Sequence, residues 1–321
     1  MRVAIVDCGT NTVRLLIADV LADELREVTR DARLTRLGQG VDATGVFHAD
    51  ALARTFAVVD DYARTIAASQ VDKVRFVATS AARDVGNREE FFAGVRDRLG
   101  VTPEVISGAE EAKLSFLGAL SGGPLEPEGT VLVMDIGGGS TELIRGSVAA
   151  QESEVRGCVP DHESYPVVHQ ATSLDVGAVR LRERYLRHDP PSDDEVSLAR
   201  QAVARMLDES PVDLGGITHF IGVAGTCTSL SAMNLGLRVY DAALVHNSCL
   251  ELGVIDAFCD QLLHLTADET NRIYPILQPL RAEVIAAGTL ICAEVAHRVA
   301  RPMLVRETDI LNGAARQLVR T

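Results

Sequence analysis

Residues 3–17 read VAIVDCGTNTVRLLI and residues 131–145 read VLVMDIGGGSTELIR. Laid over each other, the two stretches pair Asp7 with Asp135, Gly9 with Gly137 and Thr12 with Ser140. The repeat falls 128 positions apart, which is about one domain. Each copy is an apolar strand ending in an aspartate, then a turn of glycine and hydroxyl residues, then a second apolar strand. Such a turn presents several backbone N–H groups around one small concavity, a nest suited to phosphate. Glycine permits the close approach that a side chain forbids, and Thr10, Asn11, Thr12, Ser140 and Thr141 add polar groups. Asp7 and Asp135 are acceptors fit to hold water or hydrated magnesium. Either loop alone reads equally well as a tight hairpin. As a pair, each opening a domain-sized half, they read as two grips on one phosphoryl group. Arg14 in the first copy stands where the second has Glu142, a cation for phosphate against a carboxylate for a metal ion or water.

Outward from the repeat, strand patterns at 73–79 and 104–108 alternate with helical ones, Leu52, Phe56, Val59, Tyr62 and Ile66 marking an amphipathic helix at 50–68. The order is that of α/β architecture. The linker candidate is SGGPLEPEG at 121–129, placing one domain at 1–125 and a second at 126–321, with the last helix free to pack back on the first. The region 173–208 reads as helical and interrupted by DPPSDD, and 218–225 as a strand. The chain has 321 residues, 47% hydrophobic and 24% charged, enough for two packed cores. A formal charge of −14 argues against a nucleic-acid surface. No run approaches a membrane span and no basic leader precedes the first strand, so the expectation is a cytoplasmic protein with no membrane partner. Six cysteines without a C-x-x-C pair are expected to be reduced, mostly buried thiols.

The two loops, with ATSAARDVGN at 78–87, ISGAEEAKLSFLGAL at 106–120 and GVAGTCTSLSAM at 222–233, resemble the exopolyphosphatase and guanosine pentaphosphate phosphohydrolase (Ppx/GppA) phosphatase family, in a short two-domain form. The likeness runs over nearly the whole chain. Cys8 departs from the aliphatic residue usual in that family, and Cys158–Ser173 matches nothing in it. The resemblance implies two ribonuclease-H-like domains of the actin-like ATPase, sugar kinase and Hsp70 superfamily, with the site in the cleft between them. It implies stepwise release of terminal phosphate from inorganic polyphosphate with magnesium, or manganese in its place. Guanosine penta- or tetraphosphate is the alternative substrate or an inhibitor, and a homodimer the expected assembly. A kinase on the same fold, and a non-catalytic sensor of alarmone or polyphosphate, are the rival functions.

Carried over residue by residue, the resemblance makes Gly9, Thr10, Asn11, Thr12, Gly137, Gly138, Gly139, Ser140 and Thr141 the phosphate loops. Arg14 and Arg83 become phosphate contacts, and Asp7, Asp135 and Glu142 the metal side. The catalytic glutamate falls in the pair Glu110–Glu111. Ser107 to Glu110 reads as a capping box, giving Glu110 a structural task. Glu111, about 100° further round the helix, is left as the base that activates water, the position the resemblance also favours. Arg83 and Asn87, four apart, are expected on one helical face toward an anion. GVAGT at 222–226 is a glycine turn into a helix, where actin-like folds hold a nucleotide. His246 reads as structural and Arg281 as a surface arginine.

Overall fold

The computed structural model describes residues 1–21, 24–83, 85–123, 129–147 and 167–320. Both copies of the repeat are β-hairpins, and each hairpin seeds a sheet. In the first lobe β1 (Arg2–Cys8), β2 (Thr12–Leu21), β3 (Glu24–Leu34), β4 (Lys73–Ala78) and β5 (Glu104–Val105) lie in the order β3-β2-β1-β4-β5. β1, β2 and β3 are antiparallel neighbours, whereas β4 runs parallel to β1 and β5 parallel to β4. β1 is apolar on both faces apart from its ends, as a central strand covered on both sides must be. The lobe's helices are α1 (Val41–Thr44), α2 (Ala49–Ala68), α3 (Ser80–Arg83) and α4 (Arg88–Leu99). α2 lays Leu52, Val59, Tyr62 and Ile66 into the core at helical spacing, each buried apolar side chain contributing about 1.5–3 kcal/mol.

A fifth helix, α5 (Gly108–Leu120), precedes the second sheet. That sheet contains β6 (Thr130–Ile136), β7 (Thr141–Ser147), β8 (Val167–Leu174), β9 (His219–Val223), β10 (Ser248–Leu250) and β11 (Met303–Val305), in the order β10-β11-β9-β6-β7-β8. Around it stand α6 (Ala178–Arg184), α7 (Asp193–Asp208), α8 (Ala224–Asn234), α9 (Ala242–Val245), α10 (Leu252–Leu263), α11 (Ala267–Ile273) and the buried α12 (Pro279–Val299). The last helix, α13 (Ile310–Arg320), follows β11. The order of the first sheet, an antiparallel hairpin continued by parallel strands, is the ribonuclease-H-like arrangement, and the hairpin β6–β7 repeats it.

Two helices tie the lobes together. α5 packs Ala112, Phe116 and Ala119 against Val131, Val133, Ile144, Ile221 and Val223 of the second sheet. α13 returns to the first lobe, packing Ile310, Leu311, Ala314 and Ala315 with Val3, Ile5, Leu16 and Ala18. The two helices meet where a Cβ on Gly118 would lie 1.7 Å from the Asp309 carbonyl oxygen and one on Gly313 would lie 2.0 Å from that of Leu114.

Two sequence expectations are corrected, and one helix goes beyond them. Residues 167–174 are strand β8, so the helical region begins only at Ala178. α11 was not anticipated, although Thr266 and Glu269 form a full capping box before it. Arg83 and Asn87 do not share a helix: α3 ends at Arg83, and Asn87 is the N-cap residue of α4 with its side chain bonded to the backbone of Phe47. Of the linker stretch, residues 124–128 lie outside the described residues, as does Cys158. Cys8, Cys227, Cys259 and Cys292 are buried free thiols, and Cys249 is exposed. Among the described residues no helix is long and apolar enough to cross a membrane.

Candidate active site

The two glycine turns are built alike. Gly9 donates its N–H to the Thr12 carbonyl at 3.0 Å, and Gly137 donates to that of Ser140 at 3.0 Å. They abut across the lobe interface. A Cβ on Gly138 would sit 3.0 Å from Asn11 Cβ, and one on Gly139 would sit 2.5 Å from Thr10 Oγ1. The first turn is braced by Thr35, Arg36 and Gly38, which donate to the carbonyls of Asn11 and Thr10. The second is braced by the start of α6, where Ala178 and Val179 donate to Gly137 and Gly138. Thr10 Oγ1, Asn11 Oδ1 and Asp7 Oδ1 are buried with no hydrogen-bond partner among the described residues. Thr141 behaves otherwise: its hydroxyl donates to Val176 O at 2.6 Å, so that side chain holds the fold together rather than facing phosphate.

Strand register sets the charges. Asp7 stands opposite Arg14 across β1–β2, and Asp135 stands opposite Glu142 across β6–β7. In the first lobe the acid meets a cation, and Arg14 Nε and Nη2 both donate to Asp7 Oδ2, at 2.9 and 2.6 Å. In the second lobe an acid meets an acid. Burial first, opposed by Arg14 and by a hydroxyl donated from Ser115 at 2.7 Å, lifts Asp135 to about 6. Burial and then Asp135 lift Glu142 to about 7, against hydrogen bonds from Ser173 and Ser140. Asp7 is also raised, burial outweighing Arg14.

Glu111 is 8% exposed in the first turn of α5, with its carboxylate paired to the Arg83 guanidinium. Burial and the neighbouring Glu142 push it well above the ordinary carboxylate range, while Arg83 pulls the other way. Arg83 also donates Nε to Ile106 O at 3.3 Å, which anchors it at the base of the pair. Glu110 does not complete a capping box: Ser107 Oγ accepts from its N–H at 3.2 Å, but its carboxylate accepts from Gln317 on α13 at 2.9 Å. Its task is still structural, a tie between two helices.

The site also contains residues that sequence reading missed. Ser115 lies four residues after Glu111 on the same face of α5, a spacing that could have flagged it. Ser173, in the stretch that matched nothing, donates to Glu142 Oε1 at 2.7 Å. Arg281 is not a surface arginine. Its guanidinium packs on the GVAGT turn, where a Cβ on Gly225 would lie 2.2 Å from Nη1, and it has no ion pair among the described residues. Burial and then Arg14 lower it to about 10, still fully charged at neutral pH. His246 is structural as expected, with Nδ1 accepting from Glu307 N at 3.1 Å and Nε2 2.9 Å from Gly122 O. At the mouth, Asp42 pairs across the lobes with Arg180 and Arg184, and Arg36 with Glu283.

The donor set fits a hard divalent cation. Asp7 Oδ1 lacks a partner among the described residues, and three neighbouring carboxylates stand above their ordinary values because burial outweighs the groups that stabilise their charge. Among the described residues no group of three or more His, Cys, Asp or Glu is placed to hold a metal ion. Magnesium does not need such a group, since it takes one or two carboxylates and keeps water and substrate oxygens.

The model of the Ppx/GppA phosphatase family matches residues 16–304. Exopolyphosphatase 2 of Mycobacterium tuberculosis is 42% identical, over 99% of this chain and 98% of its own length. The crystal structure of an exopolyphosphatase-like protein, 37% identical, superposes with a TM-score of 0.89 over 99% of this chain and 98% of that one. The Aquifex aeolicus family member, 29% identical, superposes at 0.79 over 100% and 98%. The chain belongs to the Ppx/GppA phosphatase family.

Proposed function

We propose that this family member is an exopolyphosphatase, a phosphoanhydride hydrolase that removes terminal orthophosphate from inorganic polyphosphate by attack of a water activated by Glu111. The observation that carries the proposal is a buried glutamate of raised basicity, paired with an arginine, beside two abutting glycine turns from different lobes. In its ionised form Glu111 takes the proton of the attacking water, and the phosphoanhydride bond breaks with its electron pair leaving on the shortened chain. Arg83 orients the Glu111 carboxylate and faces the terminal phosphoryl group. Arg14 and Arg281 are two further cations for an anion in the cleft. Magnesium held by one or two of Asp7, Asp135 and Glu142 would neutralise phosphoryl oxygens and bring down the raised carboxylates. A kinase would need an acceptor hydroxyl with its own base. The intact set of Glu111, Asp135 and Glu142 weighs against a sensor without turnover.

A second reading, hydrolysis of guanosine pentaphosphate, is favoured by one feature. Tyr240 is 45% exposed, lies near Arg281 and is bonded to Glu307, so it offers a ring on which a base could stack. Otherwise aromatic residues make up only 4% of the chain. The deciding experiment is phosphate release from both substrates in one magnesium buffer without an acceptor. A larger kcat/KM is expected for polyphosphate; a larger value for the nucleotide replaces the first reading with the second. The homodimer belongs to the same proposal and rests on family resemblance, as the cytoplasmic location rests on the sequence expectation.

A further inference from the structure

A fifth carboxylate, Asp309, is 5% exposed at this cleft, although it comes 295 residues after the arginine it meets. Its Oδ2 accepts from Arg14 Nη1, on the edge of the guanidinium not used by Asp7. Its Oδ1 accepts from Leu311 N at 3.0 Å, capping the start of α13, and lies 3.7 Å from Arg30 Nη1. The backbone is fixed as well, because the Asp309 carbonyl rests on Gly118 of α5. Capping alone requires one oxygen, and an uncharged serine or asparagine supplies it. The second oxygen, charged and aimed at Arg14, is in excess of that need. Asp7 meanwhile uses only Oδ2 on Arg14 and leaves Oδ1 unpartnered. Were Asp7 the sole holder of Arg14, any turn of that carboxylate toward another ligand would release the arginine.

We propose that Asp309 is a positioning residue: from the α13 side it holds the Arg14 guanidinium at the first glycine turn while Asp7 engages its own ligand, so the last helix of the chain is part of the site. The proposal rests on the exopolyphosphatase reading for what Arg14 then does, which is to contact phosphate. Asp309 itself touches no substrate and acts through Arg14.

The test is a double-mutant cycle of Asp309→Asn and Arg14→Ala, read in two ways: steady-state hydrolysis of polyphosphate with magnesium, and calorimetric binding of tripolyphosphate in chelator. Asn retains the cap, so the melting temperature of Asp309→Asn should stay near wild type; should it fall, Asp309→Ser, which also caps, carries the comparison. Asp309→Asn is expected to lower kcat/KM and tripolyphosphate affinity about 10-fold, and Arg14→Ala about 100-fold. The double variant should match Arg14→Ala alone, because one residue works only through the other. Losses that multiply, or wild-type kinetics and binding in Asp309→Asn, would overturn the proposal. A coupled binding cycle in a wild-type protein that releases no phosphate would leave Asp309 in place and remove the hydrolase reading instead.

Discussion

Glu142→Gln should make the metal-free protein more stable at pH 8 while disabling it. Glu142 is 1% exposed, with a pKa lifted from 4.5 to about 7 by burial and by Asp135. A raised carboxylate favours folding in its protonated form: that contribution is complete below the unfolded pKa and is lost as pH rises through the folded one. At about 1.4 kcal/mol per pH unit, the interval corresponds to roughly 3 kcal/mol of strain from ionised Glu142 at pH 8. Asp135 shares part of that cost, so about 1–3 kcal/mol should return when glutamine replaces glutamate, still accepting from Ser173. At roughly 2–4 °C per kcal/mol, the melting temperature in chelator at pH 8 should rise by several degrees. At pH 4, below the unfolded value, the two proteins should melt together. Millimolar magnesium should then raise wild type more than the variant, because a carboxylate of the cation's donor set is gone. Calorimetry at both pH values, with and without magnesium, checks all of this. A variant no more stable than wild type at pH 8 in chelator would refute the crowded-carboxylate account of the second lobe.

Glu111→Gln should lower kcat about 10²- to 10⁴-fold with polyphosphate binding largely kept, whereas Glu110→Ala should cost stability through its lost tie to Gln317 and leave turnover near wild type; steady-state kinetics beside thermal melts separate the two. Arg83→Ala should weaken substrate binding, more so at low salt where the lost charge is least screened, and move the acid limb of the pH–rate profile upward, since Arg83 is the cation that lowers Glu111. An unmoved acid limb would separate Arg83 from the base. Gly118→Ala should destabilise by about 1–3 kcal/mol, as its Cβ would fall 1.7 Å from the Asp309 carbonyl, and denaturant melts would show a lower midpoint.

What could be read from the sequence, and what could not, divides along chain separation. The hairpins were legible because an aspartate, a glycine turn and two apolar strands are local patterns, and β1–β2 and β6–β7 follow them. Local rules failed where a distant partner prevailed. The Ser107–Glu110 spacing is a capping box on paper, yet Gln317 takes the Glu110 carboxylate. Arg281 passes for a surface residue until α12 lays it on the Gly225 turn. Asp309 shows no motif, since its partners Arg14 and Arg30 lie at the other end of the chain.

The repeat itself carries the furthest consequence. Both hairpins share one register, so the residue seven positions after the aspartate faces it across the strands in each lobe. Arginine there makes Asp7 part of an ion pair; glutamate there makes Asp135 part of a repelling pair that burial raises to about 6 and about 7. Two copies of one backbone motif are thus given opposite electrostatic characters by a single position, one suited to meet an anion and the other a cation. A phosphate chain accompanied by a divalent cation presents both charges, and the line where the two turns abut is where it would meet them together. Neither turn alone could hold that pair, which is a physical reason for the site to lie between the lobes.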